Sequence, residues 1–493
     1  MSQGQTASSI SEGADGPFPS ADSVADAFAL LPKSPTVCIQ GLGFVGAATA
    51  AAVADARDAD GNPQFNVVGL DLATPEGLAK ITAINAARIP IVTTDAKLKA
   101  ALTRAHARGN LLATADPDVL ALADVAIVSL PLDVDWSDGA PTVTLEPLRE
   151  AIRMLGRRLP PGALVIVQTT VPPGTTEKVA APELASALAE RGLQQGAVHL
   201  AHSYERVTPG ENYYDSIVNS WRVYAGVTTE AADACEAFLS KVVNTGRYPL
   251  SRLHSTTASE TAKLLENSYR ATTIALMEEW GRLAEAVGVD LFEVMDAIRM
   301  RPTHSNMRQP GFGVGGYCLT KDPVLAGIGA LELFDLDLDF PFSSLAIAVN
   351  AKMPLVSIER LAGLLGGSLK GKKILLLGVS YRPGVGDTRH SPSELFVRRA
   401  LEQGAAVTCH DPLVQDWPQL NLSVSNDLPS AEGFDALVFA VPYSLYAELD
   451  LAKWLGKSRP AVLDATNILS REQRSRLRSL GCRVESVGRG DGL

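Results

Sequence analysis

The segment QPGFGVGGYCLTKDP places Cys318 at the end of a run in which four of six positions, Gly311, Gly313, Gly315 and Gly316, are glycine. No regular element tolerates that density, so the run reads as a loop that wraps closely around a ligand. A thiol delivered by such a loop, with Lys321 and Asp322 close behind, fits a nucleophile whose thiolate is favoured by local positive charge. Lys263 and Asn267 stand four apart in a helical pattern, so both leave one face and could hold a developing oxyanion. In VCIQGLGFVG, Gly41, Gly43 and Gly46 have the spacing of a dinucleotide-binding turn, and Asp71 ends the next strand, where its carboxylate can accept from ribose hydroxyls. With no arginine directly after Asp71, NAD is favoured over its 2'-phosphorylated form, and FAD stays open as an alternative.

These groups need elements to hold them. From Thr36 the chain alternates strand, glycine turn, helix and strand, and DVAIVSLP and ALVIVQTTVP extend the same parallel sheet. STTASETAKLLENSYRATTIALMEEWGRLAEAVGV then carries apolar residues at helical intervals for more than twenty positions, a spine between domains. After GGSLKGKK a second strand-helix pattern begins with ILLLGVSY and VTCHDP, without a GxGxxG. The expected fold is therefore α/β, two Rossmann-like parallel-sheet domains joined by a long central helix. The expected bounds are a disordered tail at 1–34, an NAD-binding domain at 35–228, a central helical domain at 229–365 and a nucleotide-sugar-binding domain at 366–493.

Composition sets outer limits. A chain of 493 residues exceeds one ordinary core. Its net charge of -11 argues against nucleic acid as a partner. No run approaches the roughly 18 to 20 apolar residues that a membrane-spanning helix requires, and the start lacks the pattern of a secretory signal. The five cysteines are scattered without metal-ligand spacing and are odd in number, which suits a reducing cytoplasm, with neither disulfide nor metal expected.

In order along the chain, GLGFVG, TTVPPGTT, YERVTPG, AKLLENSYRATTIAL, GFGVGGYCLTKDP and YRPGVGDTRHSP resemble the UDP-glucose and GDP-mannose dehydrogenase family, over about residues 36 to 480. That resemblance implies a four-electron oxidation of a sugar 6-hydroxyl to a uronic acid for polysaccharide biosynthesis, with two NAD used per UDP-sugar. It implies Cys318 as the nucleophile that forms a thiohemiacetal and then a thioester. Lys263 and Asn267 would stabilise oxyanions, Asp322 would serve thioester hydrolysis, and Thr170 and Glu205 would manage water and protons. Gly41, Gly43, Phe44, Val45, Gly46, Asp71, Thr170 and Arg389 would meet the cofactor. Glu205, Arg206, Val207, Lys263, Asn267, Gly313, Gly315, Tyr317 and Arg382 would meet the substrate, with Arg382 near the diphosphate. Homodimers or larger assemblies through the central helix are the family's default. YERVTPG, with Arg206, is similar to the UDP-N-acetylhexosamine branch, whereas CLTKDP leans toward UDP-glucose enzymes that yield UDP-glucuronate; the N-acetylated sugar is favoured. A single-step beta-hydroxyacid dehydrogenase also joins a Rossmann domain to a helical Lys and Asn, but leaves Cys318 and the second domain without a role. A nucleotide-sugar sensor that had lost turnover would not need every candidate catalytic position filled.

Overall fold

The computed structural model of the chain describes residues 18–137 and 139–490. Strands β1 (Thr36–Gln40), β2 (Asn66–Leu70), β3 (Leu111–Thr114), β4 (Val125–Val128), β5 (Leu164–Val167), β6 (His199–His202), β7 (Val223–Gly226) and β8 (Ser251–Arg252) form one sheet in the order β8-β7-β6-β5-β4-β1-β2-β3. All pairings are parallel except β6 with β7. Because helices cover both faces, the strands read as continuous apolar runs, and Val37, Cys38 and Ile39 are fully buried. The strand order reverses between β1 and β4, and a doubly wound sheet opens its ligand crevice there, at the carboxyl ends of the strands.

The second domain repeats the principle with β9 (Lys373–Leu377), β10 (Ala406–His410), β11 (Ala436–Phe439), β12 (Ala461–Asp464) and β13 (Val484–Ser486), all parallel in the order β10-β9-β11-β12-β13. Its reversal lies between β9 and β11.

Between the sheets runs a helix of 31 residues, Thr256–Ala286, about 46 Å long. Ser255 caps it by accepting from Ala258 N. With α1 at Ala21–Ala29 and α2 at Phe44–Asp55, this spine is α3; α4 (Asp322–Phe334) and α5 (Pro341–Leu364) pack on it.

Three expectations change. Residues 18–34 are not a loose tail: Ser20 caps α1, Val24 and Phe28, four apart, bury one face on the first sheet, and Thr114 Oγ1 donates to Pro19 O at 2.5 Å. Residues 1–17 lie outside the described residues. The first domain also runs past 228, because the helix Thr229–Val242 and β8 complete its sheet. Finally, α5 has a mean hydropathy of 1.2 in an 18-residue window, long and apolar enough by length and composition to cross a membrane. Asn350, Lys352 and Pro354 interrupt its apolar run, and Met353, Ile358 and Leu361 are buried in the fold.

Candidate active site

Cys318 is the exposed one among the five cysteines, all of which are free. It stands at the hinge between the glycine loop and α4: Asp322 N and Lys321 N both donate to Cys318 O, at 2.9 and 3.3 Å. The thiol is open to solvent yet lies deep among protein groups. Burial pushes its pKa up to about 11, Asp322 adds to the rise, and Lys263 offsets only part of it. The resting group is thus a thiol, contrary to the expectation of a favoured thiolate. Lys321 explains part of the difference, since its Nζ is committed to Asp322 Oδ1 at 3.0 Å.

Two buried pairs flank the sulfur. Asn267 Nδ2 donates to Asp322 Oδ2 at 2.7 Å, and the carboxylate is 1% exposed. Lys263 Nζ donates to Glu205 O at 2.8 Å and lies 3.4 Å from Glu205 Oε1. Burial works against the Lys263 charge, but Glu205, Cys318, Asp322 and Glu266 together hold its pKa above the ordinary lysine value. Lysine has three N–H groups and no acceptor, so after Glu205 one proton remains for a ligand. Val207 N also donates to the Glu205 carboxylate. The ammonium further sits over the Tyr204 ring, 5.4 Å from its centroid.

Arg206 turns away from this cluster toward Glu266 at 2.9 Å and the Tyr204 hydroxyl at 3.0 Å. Buried Arg222 donates to Tyr204 O at 2.7 Å and steadies the same segment from below. Thr170 follows β5 at its carboxyl end, beside the crevice.

The loop glycines lie against the second domain. A Cβ at Gly313 would stand 2.6 Å from Pro392 Cβ, one at Gly315 2.7 Å from His390 O, and one at Gly316, whose φ is +80°, 3.0 Å from the Tyr381 ring. The side-chain space of Gly313 and Gly315 is filled by the second domain's Tyr381–Pro392 loop, so these glycines permit the two domains to close on each other.

That loop also carries the cations. The Nε of Arg382 is buried without a hydrogen-bond partner among the described residues. Burial and the charge of Arg270 hold its pKa below the usual guanidinium range. Arg308 is in the same position, with a buried, unpartnered Nε and a pKa lowered by burial and by Arg270. Cations that repel one another in a cleft form a receptor for a polyanion. Sequence reasoning missed Arg270 and Arg308; the signal for Arg270 was its place three residues after Asn267 on one helix face. Arg389 crosses from the second domain to the first, 5.4 Å from the Phe44 ring centroid and 5.3 Å from that of Tyr317, while Asp387 holds its Nη2 at 2.7 Å.

The dinucleotide turn fits its cofactor. Gly41 has φ +93°, and a Cβ there would be 2.5 Å from Ser129 O; one at Gly46 would be 1.7 Å from Gly41 O. A Cβ at Gly43 meets nothing within 4 Å, which leaves the approach to the α2 N-terminus open for a pyrophosphate. Phe44 and Val45 open that helix. Asp71 accepts from Leu42 N at 2.7 Å and Leu72 N at 2.8 Å, and so stands at the turn in the ribose-facing place.

Comparisons with known proteins agree with this geometry. The chain matches the family models described as the NAD binding, central and UDP binding domains of the UDP-glucose/GDP-mannose dehydrogenase family, over residues 35–243, 257–352 and 375–471. It is 32% identical to a UDP-N-acetyl-D-mannosamine dehydrogenase of Pyrococcus horikoshii over 469 residues, covering 92% of this chain and 99% of that one. A solved structure of the UDP-D-ManNAc dehydrogenase of the same organism superposes with a TM-score of 0.75 at 28% identity, over 92% of this chain and all of the other. The NDP-N-acetyl-D-galactosaminuronic acid dehydrogenase of Methanosarcina mazei gives a TM-score of 0.73 at 26% identity, over 95% and 98%.

Proposed function

This chain belongs to the UDP-glucose/GDP-mannose dehydrogenase family and is an NAD-dependent nucleotide-sugar dehydrogenase, and from that premise we propose that it oxidises the 6-hydroxyl of a UDP-N-acetylhexosamine to the uronic acid through Cys318. UDP-N-acetyl-D-mannosamine is the preferred candidate substrate, supported by the names of the relatives. The observation that carries the chemistry is the pairing of Lys263 with Glu205 and of Asn267 with Asp322 around the one exposed thiol.

NAD, when bound at the glycine turn, accepts a hydride in each of the two oxidations. The residues do the rest. Arg382, with Arg270 and Arg308, binds the diphosphate, and Glu205, Val207 and Tyr317 line the sugar side, while Arg206 stays on Glu266 and Tyr204. In the first oxidation the 6-hydroxyl loses its proton into the Thr170–Glu205–Lys263 side of the site. The Cys318 sulfur then adds to the aldehyde carbon, and the thiol proton and the developing oxyanion neutralise each other beside Lys263 and Asn267. Transfer of the thiol proton leaves a neutral thiohemiacetal, and Lys263 and Asn267 hold its oxygen while charge develops there. The thiohemiacetal hydroxyl then gives its proton to the Glu205 side of the site as its carbon loses the second hydride, which leaves a thioester on Cys318. Water, oriented by Asp322 and Glu205, attacks its carbonyl; the C–S bond breaks, the uronate leaves and the thiol is restored.

The assembly we infer is a homodimer. Leu265, Tyr269, Leu276, Trp280 and Leu283 lie at helical spacing on α3 and are 68, 53, 49, 52 and 50% exposed, with Phe342 and Leu345 of α5 also exposed. A patch of that kind on the central helix supports burial against a second copy.

The substrate is tested with UDP-glucose, UDP-GlcNAc, UDP-GalNAc, UDP-ManNAc and GDP-mannose, following NADH absorbance to completion. Two equivalents of NADH from UDP-ManNAc are expected. One equivalent from every active sugar would replace the four-electron route with a simple alcohol oxidation.

A further inference from the structure

The turn Pro172–Thr176 leaves the carboxyl end of β5 and enters a single π-helical turn, Thr176–Ala180. It is the point where the first sheet meets both central helices. From α4, Gly329 presses on it: a Cβ there would stand 2.8 Å from Pro173 Cδ and 2.9 Å from Pro172 Cβ. Gly174 takes φ +89° and faces Phe334, whose Cε2 would lie 2.7 Å from an added Cβ. From α3, Glu260 reaches in, 1% exposed, and its carboxylate accepts from Gly174 N at 2.6 Å, Thr176 N at 2.7 Å and Thr176 Oγ1 at 2.6 Å.

Each neighbour of this joint carries part of the site. Glu260 lies one helical turn before Lys263 and two before Asn267; α4 begins at Asp322; and Thr170 stands two residues before the turn. Burial pushes the Glu260 carboxyl up to about 7 against the pull of its three donors, with Glu177 adding to the rise. An apolar side chain would avoid that cost but would leave Gly174 N, Thr176 N and Thr176 Oγ1 without their acceptor. What the carboxylate adds is direction, because three donors fix both the distance and the angle between turn and helix.

We propose that Glu260 is a positioning residue: it holds the cofactor-facing edge of the first domain in register with the helices bearing Lys263, Asn267 and Asp322, so that hydride acceptor and Cys318 sulfur address the same sugar carbon. It touches no substrate and acts through the Gly174–Thr176 turn. The inference rests on the reading of carbon-6 oxidation given above.

Glu260→Gln keeps the volume but turns an N–H₂ group toward donors. The full-length variant and wild type are compared with UDP-N-acetyl-D-mannosamine and its 6,6-dideuterated form at saturating NAD, using UDP-glucose in the same two forms where wild type turns over only that sugar. We expect kcat to fall roughly 10- to 100-fold, as for a small misplacement of reacting atoms. Affinities for NAD and UDP should stay within about twofold of wild type, and the primary isotope effect on kcat should rise at least about twofold as hydride transfer becomes limiting. A merely structural role lowers the number of competent molecules and leaves the isotope effect unchanged. Gly329→Ala pushes the same turn from α4 without altering the carboxylate, and the same rise is expected; it stands as the test where Glu260→Gln does not fold. A wild-type isotope effect in the folded variants overturns the proposal. A silent wild type with both sugars instead overturns the functional reading, so the two failures are distinct.

Discussion

Asn267 and Asp322, 55 residues apart in the chain, are joined by a 2.7 Å hydrogen bond buried between α3 and α4, directly beside the backbone of Cys318. The bond links the helix that presents Lys263 to the helix whose first residue closes the glycine loop. It fixes Asp322 Oδ2 toward Asn267 and leaves Lys321 on Oδ1. Orientation of the carboxylate is thus set before any ligand arrives.

Replacing Asn267 with Leu removes that donor and leaves a buried carboxylate with Lys321 as its remaining side-chain partner. Loss of one preorganised donor at a developing oxyanion costs about 10²- to 10³-fold in kcat. NAD affinity by fluorescence titration should stay near wild type. A variant with unchanged kcat would take Asn267 out of the chemistry.

The raised pKa of Cys318, about 11, gives a pH signature. The thiolate is the alkylated form, so below the folded pKa the reactive fraction climbs tenfold per pH unit. Inactivation by iodoacetamide in the absence of ligands should keep accelerating between pH 8 and pH 10. A plateau reached near pH 8 would mean a thiol at or below its ordinary value and would contradict the resting state described.

Gly315→Ala puts a methyl group 2.7 Å from His390 O and 2.9 Å from Tyr381 Cβ. Backbone of the facing domain must move, at a cost of about 1–3 kcal/mol. Thermal unfolding should show the loss of stability, and UDP affinity should fall because Arg382 shares the displaced loop. Unchanged stability and affinity would mean that the loops do not meet as described.

Much of this was legible from residue types. The glycine turn, the spine helix and the second strand-helix series each have a period that depends only on local sequence, and Lys263 and Asn267 follow from helical spacing once the spine is recognised. What could not be read was whatever depends on the distance between elements. The glycines before Cys318 signalled close approach but not the identity of the partner, which is Pro392 and Tyr381 of the other domain. Glu260 looks in sequence like any helix-surface glutamate, and only the fold brings Gly174 and Thr176 onto it. The helix Ala21–Ala29 was hidden by its polar surroundings, since two apolar residues suffice to anchor so short an element. The resting state of Cys318 is also beyond sequence: Lys321 and Asp322 are both visible there, but the burial that raises the thiol's pKa is not.

The exposed stripe on α3 predicts the assembly. Trp280→Glu places a charge in the middle of it, and sedimentation should shift from dimer to monomer. A wild-type monomer at micromolar concentration, or a variant that remains dimeric, would move the interface elsewhere.

The central claim is that the second oxidation proceeds on the sulfur of Cys318, and uronate formation by Cys318→Ser tests it most directly. With UDP-ManNAc and NAD, the variant should lose carboxylate production by roughly three orders of magnitude or more, as when a covalent nucleophile is removed, while NAD affinity stays within about twofold of wild type. Steady-state uronate production near the wild-type rate would show that the sulfur takes no part in the reaction.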